Sequence, residues 1–167
     1  MYQYRKTVIK ISDDEQQQGK RSEMSVKNIL ILCTGNSARS IMTEYYFNHR
    51  AGDRYRAYSA GSNPTGKVHP IAIQTLDDYG IEIAEPRSKS WNEFACDDAP
   101  VMDLVITVCD NAANEVCPIW PGAPITLHWP FRDPAATPLN DPGIATDFAE
   151  VFAEIREKVD EFVATDN

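Results

Sequence analysis

The chain of 167 residues has no long hydrophobic run; its longest aliphatic stretch is Ile29-Leu30-Ile31-Leu32. About 20 apolar residues are needed to cross a bilayer, so no membrane partner is expected. The start holds no apolar core followed by a cleavage site, and nothing there suggests secretion. Positive charge is scarce: 16 Lys and Arg stand against 25 Asp and Glu, and the net charge of -9 argues against nucleic acid as a partner. A small anion is not excluded, because a nest of backbone amides with one arginine binds an anion inside an acidic protein. The four cysteines are irregularly spaced with no Cys-x-x-Cys pair, which speaks against a zinc site. A reducing cytoplasm is the expected compartment, where cysteines tend to be catalytic or redox-active. The chain has no internal repeat, and its length and 43% hydrophobic content predict one domain with a single core. Residues 1–25 differ: Asp13-Asp14-Glu15, Gln16-Gln17-Gln18 and Lys20-Arg21 give no periodic apolar face. They are expected to form a flexible extension, with Val8-Ile9-Lys10-Ile11 as a short strand or helix turn, and the domain proper covers 26–167.

What is present is organised around Ile29-Leu30-Ile31-Leu32-Cys33-Thr34-Gly35-Asn36-Ser37-Ala38-Arg39-Ser40. The aliphatic run reads as a buried parallel strand, and the small residues after it form a loop that ends in Arg39 and enters a helix. A short loop of small residues can turn its N–H groups inward around a tetrahedral oxyanion, and the helix N-terminus adds donors and positive partial charge. Arg39 would fork two hydrogen bonds onto the same anion and help hold Cys33 as a thiolate, the attacking form. The bland alternative is a buried structural Cys and a solvated Arg. No Gly-Lys-Ser/Thr follows, so the stretch is not a nucleotide-binding loop.

Further along, Ile41, Tyr45 and Asn48 predict one side of the helix after the loop, widened by Met42, Tyr46 and Phe47, with Glu44 outside. Arg56 to Gly61 reads as a second strand. Pro70 to Tyr79 reads as a helix with Ile71, Ile73, Leu76 and Tyr79 apolar, ended by Gly80, with His69 as a surface or capping residue. Asp103 to Val108 is the next strand and delivers Cys109 to the carboxyl edge of the sheet, where Cys33 also ends its strand. Cys117 follows eight residues later. In a continuous helix Cys109 and Cys117 would lie about 12 Å apart along the axis, against the roughly 5.5 Å between Cα atoms that a disulfide needs. They pair only if the segment bends or unwinds, and its Asn, Ala and Asp content makes it a weak helix. Inert buried thiols are the competing reading. Ala123 to His128 reads as the last strand. Asp147 to Ala164 reads as a closing helix whose Phe148, Val151, Phe152, Ile155, Val159 and Phe162 face the core.

From Val26 to about Val163 the chain resembles the low-molecular-weight protein tyrosine phosphatase superfamily, and within it the arsenate reductases more than the tyrosine phosphatases. The stretches that carry the resemblance are Cys33 to Ser40, Tyr58-Ser59-Ala60-Gly61, Val108-Cys109-Asp110, Cys117-Pro118, His128-Trp129 and Asp133-Pro134-Ala135. It implies an α/β fold, a three-layer sandwich around a four-stranded parallel sheet. It implies Thr34, Gly35, Asn36, Ser37, Ala38, Arg39 and Ser40 as the oxyanion site, Ala38 standing where many relatives carry another cysteine. Asp133 matches the general acid of the family. The small residues Ala135-Ala136-Thr137 that follow suit a bare oxyanion better than a phenol ring.

The resemblance further implies arsenate reduction. Cys33 attacks arsenic, Cys109 attacks the Cys33 sulfur and releases arsenite, and Cys117 moves the disulfide outward for an external reductant, either thioredoxin or glutathione with glutaredoxin. A potassium ion at Asn36, Glu44 and Ser59 is a further expectation from the same source. The alternatives are a phosphomonoesterase acting through a phosphocysteine at Cys33, which needs neither Cys109 nor Cys117, and a non-catalytic oxyanion-binding module.

Overall fold

Ile29, Leu30, Ile31 and Leu32 are fully excluded from solvent, which a strand achieves when both faces of its sheet are covered. They form the middle of β1 (Lys27–Cys33) in the computed structural model, which describes residues 25–166. The expected N-terminal extension lies, apart from Ser25, outside the described residues. The elements that follow are α1 (Arg39–Ala51), β2 (Tyr55–Gly61), α2 (Pro70–Asp78), β3 (Leu104–Thr107), α3 (Asp110–Asn114), β4 (Ile125–His128) and α4 (Ile144–Thr165). The four strands are parallel in the order β2-β1-β3-β4, with Ile29 opposite Ala57 and Leu104, and Cys33 opposite Gly61. β1 and β3 therefore end side by side, and the loops that leave them meet at one edge.

The two-residue alternation of β1 divides the core. Ile29, Ile31 and Cys33 pack with Met42, Phe47, Leu76, Phe148 and Val151 from α1, α2 and α4, whereas Leu30 and Leu32 pack with Ala60, Phe94, Met102 and Val105 on the opposite face. That second face is covered by a short 3-10 turn (Trp91–Phe94) and by coil carrying Cys117 and Trp120. The α/β sandwich with its four-stranded parallel sheet is as expected, and its third layer is thin.

Three helix faces differ from their apolar pattern. Asn48 is exposed rather than on the buried side of α1; its Nδ2 donates to the Ala57 carbonyl and its Oδ1 accepts from the Ala57 amide, each at 2.9 Å, satisfying the outer edge of β2. In α2 the fully buried residues are Ala72 and Leu76, while Tyr79 lies outside the helix and meets the Phe152 ring edge-on at 5.0 Å. In α4, Val163 takes the last core position and Phe162 is half-buried among the rings of Phe47, Tyr55 and Trp129. No helix among the described residues is long and apolar enough to cross a membrane.

Candidate active site

The loop between Cys33, the last residue of β1, and Arg39, the first of α1, is oriented by its carbonyls. The carbonyl oxygens of Thr34, Gly35 and Ser37 accept from the amides of Asn63, Thr65 and His69 at 3.0, 3.0 and 2.8 Å. With those carbonyls held outward, the loop amides are free to gather on the other side, as an anion cradle requires. Asn36 makes the turn with a left-handed φ of 42°, a conformation asparagine tolerates better than most residues. Its buried side chain donates to Ser40 and Ser59 and accepts from the Lys89 amide at 2.8 Å. Gly61 runs directly beneath: a Cβ there would come within 2.4 Å of the Thr34 carbonyl oxygen. Ala38 and Ser40 are buried, closing the base of the cradle. His69 caps α2, its Nδ1 accepting from the Ile71 amide at 3.2 Å.

Arg39 lies across this loop. One terminal nitrogen donates to the Phe131 carbonyl at 3.1 Å and the other is 3.3 Å from an Asp133 carboxylate oxygen. Its Nε is buried and has no hydrogen-bond partner among the described residues. A buried guanidinium donor with no partner among the described residues, next to a loop of small residues, is suited to a bound anion. Asp133 begins a 3-10 turn (Pro134–Ala136) by accepting from the Ala135 amide at 3.1 Å, which places its carboxylate at the rim of the loop.

Cys33 and Cys109 face each other, and the Cys33 thiol donates to the Cys109 sulfur. This hydrogen bond, with burial, pushes the Cys33 thiol well above the usual range despite the opposing charge of Arg39. Cys109 is lowered to about 5, first by accepting that bond and then, against the cost of burial, by the Ala112 and Thr34 amides, each 3.4 Å from its sulfur. The sequence placed the thiolate on Cys33. The geometry favours the negative charge on Cys109 instead, because it accepts from Cys33, caps α3 and takes two backbone amides.

α3 stops at Asn114, as its weak composition suggested, and Glu115 continues in extended backbone. Cys117 is half-buried against the sheet face opposite to Cys33 and Cys109, and all four cysteines are free thiols. Burial, and then the Glu115 carboxylate, push the Cys117 thiol upward. Glu115 reaches back to the loop, its Oε1 accepting from the Thr34 hydroxyl at 3.3 Å. His128 ties β4 to α3, with Nδ1 2.8 Å from the Thr107 hydroxyl and Nε2 3.1 Å from Asp110. Cys96 is exposed and away from this group.

Asn36, Glu44 and Ser59 do come together, yet they do not fit a potassium site. Glu44 is drawn inward rather than exposed, the Ser59 hydroxyl donates to it, and the Lys89 ammonium lies 3.7 Å away with its side chain only 10% exposed. Burial raises the Glu44 carboxyl and lowers the Lys89 ammonium, each opposed by the charge of the other. The positive charge at this place is thus a protein side chain. Lys89 was invisible in sequence because 45 positions separate it from Glu44, and Glu115 because one acid near a cysteine is unremarkable in an acidic chain; its place two residues before Cys117 was the available signal.

The sequence profile of the family described as "Low molecular weight phosphotyrosine protein phosphatase" matches residues 28–166. The chain is similar to an arsenate reductase of Halalkalibacterium halodurans, 37% identical over 142 residues that span 85% of this chain and 99% of that protein. Among solved structures it is similar to an arsenate reductase from Archaeoglobus fulgidus, with a TM-score of 0.63 at 30% identity over 81% of this chain and 98% of the other. It also resembles an arsenate reductase in its reduced state, with a TM-score of 0.67 at 26% identity over 85% of this chain and all of the other.

Proposed function

The chain belongs to the low molecular weight phosphotyrosine protein phosphatase family, and from that premise we propose that it reduces arsenate to arsenite. The observation that carries this reading is the meeting of two thiols at an oxyanion loop, where Cys109 adjoins Cys33 and lies 3.4 Å from the amide of Thr34, the next residue. Hydrolysis of a phosphate ester needs one sulfur; a two-electron reduction needs two.

In this reading the loop amides of Thr34 to Ser40 and the free donors of Arg39 bind arsenate. The anion competes with Asp133 for the guanidinium and releases that carboxyl to protonate the departing oxygen. Cys33 forms a sulfur–arsenic bond as its proton passes by way of the Asp133 carboxylate to a hydroxyl of arsenate, which leaves as water. The Cys109 thiolate then attacks the Cys33 sulfur. The sulfur–arsenic bond breaks, its electron pair stays on arsenic, and arsenite departs as arsenic(V) becomes arsenic(III). Cys117 attacks Cys109, frees Cys33 as a thiolate and leaves a Cys109–Cys117 disulfide. An external dithiol of the thioredoxin type, in a reducing cytoplasm, closes the cycle by taking that disulfide, since both sulfurs then belong to one exposed segment. Glutathione with glutaredoxin is the other candidate reductant.

The test supplies arsenate, thioredoxin, its reductase and NADPH, and measures arsenite. The expected result is turnover in the natural chain, loss of arsenite in Cys109→Ser and Cys117→Ser, and retained hydrolysis of an aryl phosphate in both. Unchanged arsenite production in both variants overturns the relay. Aryl-phosphate hydrolysis without any arsenite from the natural chain leaves the phosphomonoesterase in its place. Replacing thioredoxin by glutathione and glutaredoxin in the same assay decides the reductant.

A further inference from the structure

We propose that Glu115 is a positioning residue that senses the occupancy of the oxyanion loop and releases the Cys117 segment only when an anion is bound. The inference rests on the reading of this site as an oxyanion-dependent relay. Three observations carry it. Among the described residues, the bond from the Thr34 hydroxyl to Glu115 is the only side-chain hydrogen bond made by residues 115–122, whose other hydrogen bond to the chain beyond them is the local one from the Ala123 amide to the Trp120 carbonyl. It ends on the residue that directly follows Cys33, so the tether attaches to the anion cradle itself. The second Glu115 oxygen, Oε2, is buried with no partner among the described residues, so the carboxylate is held with half its acceptor capacity unused.

Such a tether is weak, and an arriving oxyanion opposes it in two ways. Thr34 and Cys33 are neighbours with Cα atoms about 3.8 Å apart, so the bound anion and the Glu115 carboxylate lie within a Debye length of about 8–10 Å and repel. The Thr34 amide and hydroxyl are also donors that the anion draws toward itself. With the bond broken, the segment is held only by the packing of Cys117 and Trp120 on the sheet: Val116 and Ile119 are each 95% exposed, and α3 has already ended at Asn114. Cys117 lies on the far face of the sheet, so it must move to reach Cys109, and the tether times that movement. While it holds, burial and then the Glu115 charge favour Cys117 as the thiol, the less reactive form.

The experiment uses inorganic phosphate, an oxyanion that cannot be reduced, and follows iodoacetamide labelling of each cysteine by mass spectrometry. Protection of Cys33 reports occupancy of the loop, and exposed Cys96 is the internal reference. At phosphate concentrations that protect Cys33, labelling of Cys117 in the natural chain is expected to accelerate about fivefold, equivalent to about 1 kcal/mol. In Glu115→Gln, which keeps an acceptor for Thr34 but lacks the charge that a bound oxyanion repels, Cys117 labelling is expected to respond little to phosphate. A plain structural staple would behave alike with Glu or Gln. Cys117 labelling that ignores phosphate in the natural chain overturns the inference, and so does an equal phosphate response in Glu115→Gln. Either result alongside intact arsenite production removes the sensor and leaves the relay; absent arsenite removes the relay on its own evidence.

Discussion

At the scale of single residues, Cys109 sets the chemistry as much as Cys33 does. A sulfur that takes two backbone amides and a thiol hydrogen bond keeps its negative charge far below the usual thiol range, and here its pKa is lowered to about 5. The sign is that of a stabilised anion: alkylation of Cys109 should be on a plateau at neutral pH and fall as pH drops through about 5. Cys33→Ala removes the largest cause of the shift, so the midpoint should move upward. A midpoint that stays in place would assign the shift to the amides alone. The residues of the loop were legible from spacing, and Cys33, Arg39, Cys109 and Asp133 do converge. The proton's position was not legible, because it depends on which groups Arg39 and Cys109 touch across the fold, and those partners are Asp133 and the Thr34 and Ala112 amides.

At the scale of elements, β2 and the loop are built against each other. Adding a methyl at Gly61 puts it into the Thr34 and Cys33 carbonyl oxygens, at 2.4 and 2.9 Å, so both strand end and loop must shift. Gly61→Ala should destabilise the protein by about 1–3 kcal/mol in denaturant titration and weaken phosphate binding, because the displaced carbonyls are those that orient the cradle. The strands were readable within one or two residues at each end; β1 and β3 stood out as aliphatic runs because burial on both faces leaves little choice of residue. The polar face of α1 was misread at Asn48. That side chain completes the backbone edge of β2, a demand set by sheet order and not by helix periodicity. Likewise Tyr79 carries an apolar ring outside the core because Arg156 covers it, 4.7 Å from the ring centroid.

At the scale of the whole molecule, a chain of net charge -9 is expected to bind an anionic substrate at one locally positive point. Long-range repulsion then opposes encounter, and salt screens it. Raising sodium chloride from about 10 mM to about 150 mM, where the screening length shrinks from about 30 to 8 Å, should lower the KM for arsenate and leave kcat nearly unchanged. A rise in KM would mean that the field at the mouth is positive despite the overall charge. Topology was legible at this scale because two cysteines ending two aliphatic strands imply a common sheet edge. The thin third layer was not, since coil that covers a sheet leaves no periodic signature.

That thin layer gives the molecule two doorways. Cys33 and Cys109 look out on the helical side and Cys117 on the other, with the rim of the sheet between them. In the reduced arrangement the mouth that meets the oxyanion and the sulfur proposed to hand electrons on thus open to different sides, and one turnover of that relay has to carry Cys117 round the rim before the two can exchange.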